Sequence, residues 1–167
     1  TNFNKVDINR NFDTPDWAVN ALKMWKEKYK SMRRYYPGDL GGSEPETVYQ
    51  KWLVSNFKPA KIMSVHAPLN MLDYDGPADV KTVNFMKSYI ESCETLKEAV
   101  KKATPDLRFY AYGLFPGSLG NYAGRQRGIP VLTAELPSTD FAHAAHYFSV
   151  LEKGTRTFFE YNLKESP

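Results

Sequence analysis

The sequence predicts a layered α/β fold. Its short apolar runs, such as residues 129–134 (IPVLTA), are nearly uninterrupted, which is typical of strands covered on both faces of a sheet. They alternate with longer segments in which apolar residues recur at helical spacing, and this alternation favours helices layered on a sheet. The chain has 167 residues, of which 42% are hydrophobic, so it can fill one core but not two. We therefore expect one domain over residues 1–167.

Charge and composition argue against two classes of partner. The formal net charge is +3 and the lysines are spread along the predicted helices, so no nucleic-acid-binding surface is indicated. No apolar run is long enough to predict a membrane span. Cys93 is the single cysteine, which excludes an internal disulfide and favours a cytoplasmic location, with the periplasm or secretion left open.

The N-terminal segment predicts a strand and then a helix. Residues 1–13 have no helical stripe, and we interpret them as a strand that runs into a loop. Thr14 can cap and Pro15 can open a helix that ends before Pro37. The apolar face of this helix is predicted to comprise Trp17, Ala21, Leu22, Trp25, Tyr29 and Met32.

A capping box predicts the second helix. Ser43 and Glu46 have the spacing at which a hydroxyl and a carboxylate satisfy the free amides of a first helical turn. Pro59 closes the helix. Its buried face is predicted to comprise Val48, Tyr49, Trp52, Leu53 and Phe57.

The middle of the chain predicts a strand that ends on a histidine. Residues 60–66 (AKIMSVH) have the pattern of a short buried strand, and His66 stands at its C-terminal end, where ligands bind in open α/β sheets. A loop over residues 68–77 (PLNMLDYDGP) precedes an amphipathic helix that ends near Ala103. The helix stripe, in which the cysteine is expected to pack in the core, comprises Val80, Val83, Met86, Lys87, Ile90, Cys93, Leu96 and Val100.

The C-terminal third predicts two further strands and a helix. Residues 107–112 form one predicted strand, and a glycine-rich loop over residues 116–128 leads into another that ends on Glu135. A helix follows, capped by Ser138, Thr139 or Asp140 and carrying Phe141, Ala144, Phe148 and Leu151 on its apolar face. Residues 155–163 are either a closing strand or a tail.

Glu135 is a candidate for proton transfer. A carboxyl group at the end of a covered strand has little water to solvate its charge, and this environment suits a group that takes a proton from water and gives it to a leaving amine. The alternative is a structural acid that pairs with an arginine upstream, Arg125 or Arg127.

The histidines are candidate metal ligands. His66 is the better placed because it ends a buried strand beside a loop. His143 and His146 lie three residues apart on one predicted helix, a spacing that can present two ligands on one face. However, no glutamate follows as in the HExxH arrangement, and the two residues between the histidines are alanines.

Four segments together resemble the zinc metallocarboxypeptidases. They are residues 6–12 (VDINRNF), 43–47 (SEPET), 62–77 (IMSVHAPLNMLDYDGP) and 116–137 (PGSLGNYAGRQRGIPVLTAELP), and they occur in the family's order. Within that family, the loop into the TAELP strand is most similar to the bacterial murein peptide amidases. The resemblance implies a mixed β-sheet with helices on both faces.

The resemblance also implies roles for individual residues. His66 matches a zinc ligand, and Glu135 matches the general base and acid that activates the attacking water. Asn9 and Arg10 match the pair that binds the free carboxylate of the substrate, for which a planar guanidinium is suited to two parallel hydrogen bonds.

Two more positions match substrate contacts of the family. Leu119 falls at the floor of the specificity pocket if the loop aligns without gaps. Tyr112 falls where peptide-cleaving members keep a mobile tyrosine that contacts the substrate, with Tyr122 as the alternative.

The resemblance is incomplete at the N-terminal end. The family's other two zinc ligands, a His and a Glu three residues apart, have no counterpart here, and neither does the arginine that polarises the scissile carbonyl. Catalytic zinc takes three protein ligands and a water. We therefore expect the N-terminal part of the fold to be missing from this chain and to supply the remaining ligands. The alternative is a domain that binds no metal.

The sequence thus predicts zinc-dependent hydrolysis of a peptide or amide bond next to a free carboxylate, in particular the γ-D-glutamyl-diaminopimelate bond of murein peptides. The expected partner is a murein peptide or another peptide with a free carboxylate. Two alternatives remain open: an ordinary metallocarboxypeptidase, and a non-catalytic module that binds peptide or muropeptide carboxyl ends through Asn9 and Arg10.

Overall fold

The computed structural model describes residues 1–77, 84–110, 113 and 115–164. The chain divides into two compact units. Unit 1 comprises residues 1–60 and 113–128, and unit 2 comprises residues 61–112 and 129–167. The single domain that the chain length indicated stays a prediction.

Unit 1 is helical. It contains α1 (Trp17–Glu27), α2 (Pro45–Phe57) and a short helical segment at Gly120–Arg125. The segment Gly120–Arg125 corrects the prediction of a plain glycine-rich loop, because five of its six residues are buried in helical backbone.

Helix α1 is shorter than predicted. It begins after Asp16 rather than at Pro15, and the Thr14 hydroxyl donates to the Asp16 carboxylate instead of capping the helix. The chain leaves the helix after Glu27 because Lys30 and Ser31 adopt positive φ angles of 49° and 56°, which no α-helix accommodates.

The N-terminal residues form turns rather than the predicted strand. The backbone amide of Asn2 donates to the carbonyl of Val6, and a 3-10 turn follows at Ile8–Arg10. Asp7 caps this turn by accepting from the amide of Asn9. The turn fixes the backbone at the Asn9 and Arg10 pair.

Helix α2 begins where predicted but with a different cap. Glu44 is the N-cap residue and its side chain makes no capping bond, so the predicted capping box is wrong. Instead, the Ser43 hydroxyl donates to the Glu44 carboxylate, and the Glu44 amide donates to Oδ1 of the buried Asn11. Asn2 and Asn4 also donate to that carboxylate, and these bonds lower the pKa of Glu44.

The predicted buried face of α2 is largely exposed. The buried residues of the helix are Thr47 and Val54, on the other side. The rings of Tyr49 and Trp52 stack with centroids 6.0 Å apart, and Phe57 packs edge-on against Trp52 at 5.7 Å. The helical spacing therefore identified the apolar face of α2 correctly, but the prediction that this face is buried is wrong.

Unit 2 is built on a mixed four-stranded sheet. Its strands are β1 (Ile62–His66), β2 (Met71–Tyr74), β3 (Arg108–Tyr110) and β4 (Val131–Glu135), in the order β1-β4-β2-β3. β1 is parallel to β4, β2 is parallel to β3, and β2 is antiparallel to β4. The mixed sheet that the resemblance implied is confirmed.

Strand β2 occupies a segment that was predicted as a loop. All four of its residues are buried, including Asp73. β1 differs in the opposite sense: it was predicted to be buried, yet it is half-buried, with Val65 59% exposed. The reason is its position, because β1 pairs with β4 along one side and lies at the edge of the described sheet.

Two helices of unit 2, α3 (Asn84–Ala103) and α4 (Ala144–Glu160), pack against each other and against one face of the sheet. The buried core comprises Leu72, Tyr74, Leu96, Val100, Leu132, Ala134 and Phe158. Helix α4 continues through Glu160, so the predicted closing strand or tail at residues 155–163 is wrong for most of its length. Among the described residues, no helix combines the length and apolarity needed to cross a bilayer.

Cys93 packs in this unit as predicted. It lies on α3 with no exposed surface, and burial raises the pKa of its thiol to about 11. The predicted stripe residues Val80 and Val83 lie outside the described residues.

Candidate active site

His66 and Glu135 end two neighbouring parallel strands. They are direct register partners in the pairing of β1 with β4. Nδ1 of His66 lies 3.6 Å from Oε1 of Glu135. The backbone amide of Leu136 donates to the carbonyl of His66 at 2.8 Å, so the pairing continues one residue past the strand. The carboxyl ends of parallel strands thus bring an imidazole and a carboxylate together.

Glu135 is largely withdrawn from solvent. Its side chain is 12% exposed, and Oε2 is buried with no hydrogen-bond partner among the described residues. Burying a carboxylate oxygen without a hydrogen-bond donor costs free energy, unless a further group donates a hydrogen bond to it. Of the two upstream arginines offered as alternative partners, Arg125 and Arg127, the second is engaged elsewhere, since Arg127 lies over the ring of Tyr122 at 3.5 Å and donates to its carbonyl.

The imidazole of His66 is oriented by Ser64. Nε2 lies 3.0 Å from the Ser64 hydroxyl, on the same face of β1, and Nδ1 faces Glu135. A ligating histidine ordinarily engages its other nitrogen in a hydrogen bond of this kind, which fixes the tautomer. If Nε2 carries the proton, Nδ1 presents a lone pair on the side of Glu135.

A cavity adjoins His66 at the C-terminal end of β1. Its volume is about 540 Å³, and its lining includes Val65, Phe141, Tyr147 and Phe148 as well as the histidine. The side chain of His66 is 34% exposed. The imidazole is therefore accessible to a further group.

The residues present fit one zinc ligand but not a complete site. Within the part of the chain that the structure describes, no three His, Cys, Asp or Glu side chains are grouped to hold a metal. His143 and His146 lie near the ring of Tyr147, at centroid distances of 6.0 and 6.1 Å, and belong to no such group among these residues. His66 has the orientation of a ligand. Oε2 of Glu135, which has no hydrogen-bond partner among the described residues, suits the role of a general base next to that ligand.

Asn9 is anchored by the loop that follows residue 115. Its Oδ1 accepts from the backbone amide of Leu119 at 2.8 Å. Among the described residues, its side-chain NH2 group has no acceptor. The amide group is thus held with its donors free for a ligand. Leu119 itself lies half-buried at the start of the segment Gly120–Arg125.

Arg10 is held by an aromatic ring rather than by an acid. Its guanidinium lies 4.3 Å from the ring centroid of Phe115, and Nη1 donates to the carbonyl of Asn9 at 2.6 Å. Among the residues that the structure describes, Nε is buried without a partner, and no carboxylate lies within ion-pair distance. A half-buried guanidinium without a counter-charge is suited to bind an anion.

Gly117 brings the loop against this pair. Its carbonyl accepts from the amide of Phe12, and its amide donates to the hydroxyl of Thr14 at 2.9 Å. Its φ is +73°, and an added Cβ would lie 2.2 Å from the carbonyl oxygen of Arg10. Only glycine allows this approach.

The two candidate tyrosines differ in what can be said of them. Tyr112 lies outside the described residues, so its role as a substrate contact stays a prediction. Tyr122 is 3% exposed and packs between Phe12, at 5.1 Å, and the guanidinium of Arg127. A ring packed in this way is poorly suited to a mobile contact.

Sequence reasoning missed two residues of these arrangements. Ser64 had a usable signal, because it lies two residues before His66 and strand periodicity places both on one face. Phe115 had none, since an isolated aromatic residue before a glycine-rich loop does not indicate which cation it will contact.

In sequence, the chain is similar to a bacterial amidase. No protein-family model matches the chain. The chain is 29% identical over 153 residues to murein peptide amidase A of Escherichia coli strain K12, a match that covers 89% of this chain and 57% of the relative. The chain thus spans little more than half the length of that curated relative.

Solved structures show the same fold. A crystal structure of murein-tripeptide amidase from Escherichia coli O157 superposes with a TM-score of 0.62 at 24% identity, over 99% of this chain and 62% of that chain. Carboxypeptidase A from Helicoverpa armigera gives 0.58 at 17% identity, over 92% of this chain and 41% of that chain. The predicted resemblance is confirmed: the chain is similar in sequence to murein peptide amidase A, and its fold is similar to the folds of the amidase and of the carboxypeptidase.

Proposed function

We propose that this chain forms part of a zinc-dependent peptidase in which Glu135 is the general base and acid and His66 is one of the zinc ligands. The observation that carries the proposal is the register pairing of the two residues, with Nδ1 3.6 Å from Oε1. Its homology to a peptidase supports the reaction class.

The proposed chemistry divides between the residues of unit 2. Zinc, when bound, would polarise the scissile carbonyl and lower the pKa of the water that it binds. Glu135 takes the proton from the attacking water and delivers it to the leaving nitrogen. Ser64 holds the imidazole of His66 so that Nδ1 is the ligating atom.

In unit 1, Asn9 and Arg10 are proposed to bind the free carboxylate of the substrate. The guanidinium offers parallel donors to the two carboxylate oxygens, and the anchored amide of Asn9 adds a third. The absence of a described acid beside Arg10 supports this role, because a structural arginine ordinarily has a counter-charge.

The substrate we propose is a murein peptide, cleaved at the γ-D-glutamyl-diaminopimelate bond. The relative that the chain matches is named for murein peptides. In addition, Leu119 offers no acid to attract a plain lysine or arginine. This feature suits a substrate side chain that is not purely cationic.

The remaining zinc ligands are proposed to come from an N-terminal segment of the same protein. Support comes from the accessible imidazole of His66 and from the share of the relative, 57%, that the chain covers. The competing function is a non-catalytic module that binds carboxylates, which is favoured by the lack of three grouped ligands among the described residues. Zinc content of the chain with and without the N-terminal segment distinguishes the two: equimolar zinc in the longer form supports the peptidase, and none in either form supports the module.

A further inference from the structure

Two cations share the ring of Phe115. The guanidinium carbon of Arg10 lies 4.3 Å from the ring centroid, and Nζ of Lys28 lies 4.8 Å from it. The two charges are therefore within about 9 Å of each other. Cation–π contacts stabilise each of them against the ring, but they do not remove the repulsion between the cations.

Neither cation is neutralised by the described part of the chain. The described ion pairs include neither Arg10 nor Lys28, and Nε of Arg10 is buried with no partner in the described part of the chain. Lys28 lies at the C-terminal end of α1, and its side chain is exposed. The site therefore has two positive charges beside one ring and one N–H donor without an acceptor among the described residues. A ligand with two negative groups would neutralise both charges.

We propose that Lys28 binds the second carboxylate of a diamino-dicarboxylic acid residue whose first carboxylate is held by Asn9 and Arg10. The inference rests on the proposed function and deepens it, because it identifies the residue that distinguishes diaminopimelate from lysine. The flexible stem of a lysine lets its ammonium follow a carboxylate that varies in position.

The dimensions of the ligand agree with those of the site. Diaminopimelate carries a carboxylate at each end of its carbon chain, and with C–C bonds of about 1.5 Å the extended carboxyl carbons lie roughly 7 to 8 Å apart. The two cationic groups are at most about 9 Å apart, so a ligand of this length can reach both. Lysine has the same chain and both amino groups but lacks the second carboxylate, so it contacts Arg10 alone.

The test compares the two ligands on the same chain. Diaminopimelate and L-lysine are titrated separately into the protein, and the dissociation constants are measured from NMR chemical-shift changes. We expect diaminopimelate to bind about fivefold more tightly, the size of one partly exposed ion pair. Lys28→Gln is expected to bring the ratio close to one without changing the affinity for lysine, and Lys28→Arg is expected to retain the preference.

Lys26→Gln is the matched control, since Lys26 is an exposed lysine on the same helix. It is expected to keep the preference for diaminopimelate. If Lys28→Gln leaves the ratio of the two dissociation constants unchanged, the inference is overturned. An equal loss of affinity for both ligands also overturns it, because it would mean that Lys28 supports the fold. If neither ligand binds the unsubstituted protein, or if Arg10→Lys weakens neither, the carboxylate site of the proposed function fails as well. Equal binding of both ligands with full sensitivity to Arg10→Lys overturns the role of Lys28 alone.

Discussion

Glu135 stands opposite His66 in the parallel pairing of β1 with β4, so their spacing is a property of the backbone. Adjacent strands lie about 4.8 Å apart, and this spacing keeps Oε1 within 3.6 Å of Nδ1 without help from a loop. Elements of regular structure hold functional groups more precisely than loops do. The pair is therefore a suitable place for proton transfer beside a metal.

Replacing Glu135 with glutamine is expected to abolish most of the activity while leaving the fold intact. The change is nearly isosteric but removes the proton acceptor, so kcat should fall at least about a hundredfold. Steady-state hydrolysis by the protein that includes the N-terminal segment provides the measurement. Zinc content and thermal unfolding serve as controls and should not change. Near-normal turnover would show that Glu135 is structural.

Zinc binding is expected to depend on His66 and on the N-terminal segment together. One imidazole cannot hold the metal against water, so this chain alone should not retain equimolar zinc after dialysis. The longer protein should retain one equivalent and lose it in His66→Ala. His146→Ala is the control and should retain the metal. Tight equimolar zinc in this chain alone would contradict the prediction and point to His143 and His146.

Replacing Arg10 with lysine is expected to lower kcat/KM only for substrates that carry a free carboxylate. An ammonium cannot reproduce the two parallel hydrogen bonds of a guanidinium, so kcat/KM should fall about tenfold or more. An amidated substrate, which lacks the anion, should show no such loss. Equal losses on both substrates would mean that Arg10 stabilises the protein through Phe115 rather than binding the ligand.

Glu44→Gln is expected to lower stability in a pH-dependent way. Hydrogen bonds from Asn2 and Asn4 hold the pKa of Glu44 below its unfolded value, so the ionised carboxylate stabilises the folded state above the unfolded pKa. That stabilisation is lost as the pH falls through the folded pKa. We expect a cost of about 1–2 kcal/mol at pH 7 that shrinks below about pH 4.

Urea unfolding of the Glu44→Gln variant at several pH values checks this prediction. Glu27→Gln, at the exposed end of α1, is the control and should change stability little at any pH. A cost of Glu44→Gln that stays constant down to pH 3 would show that the carboxylate charge is not what stabilises this position.

Gly117→Ala is expected to disturb the Asn9 and Arg10 pair. The new methyl group would lie 2.2 Å from the carbonyl oxygen of Arg10, and the φ of +73° would add strain of about 1–3 kcal/mol. The unfolding temperature and the affinity for carboxylate ligands should therefore both fall. Gly113→Ala is the matched control, because its Cβ would meet no atom within 4 Å. Equal effects of the two substitutions would exclude the close approach as the cause.

Sequence reasoning located the elements whose signals are local. The unbroken apolar run before Glu135 predicted a covered strand, and the structure has a largely buried strand that ends on Glu135. Strand β2 was not predicted because Asp73 and the flanking residues Asn70 and Asp75 are typical of loops. Residues 71–74 form a strand because they pair with neighbouring strands and are buried there. The exposure of Trp52 escaped for a related reason, since helical spacing defines a face without defining what covers it.

The candidate site was predictable mainly through the family resemblance. Asn9 and Arg10 lie in a 3-10 turn that carries no distinctive pattern, and their environment depends on Leu119 and Phe115, more than a hundred residues away. Contacts at such separations are set by the fold as a whole. Local propensities therefore identified His66 and Glu135 as candidates. They could not identify Asn9 and Arg10 as candidates for binding a carboxylate.

The discontinuity of unit 1 bears on the order in which the chain folds. The hydrogen bond between Asn9 and Leu119 spans 110 positions, and the bond between Thr14 and Gly117 spans 103. During synthesis the first sixty residues emerge long before their partners, and closing so long a loop costs chain entropy that only the later contacts offset. Helices α1 and α2 can form early from local contacts, whereas the surroundings of Asn9 and Arg10 are completed late. A ribosome-bound chain that stops before residue 113 would carry Arg10 without the ring and the amide that hold it in place.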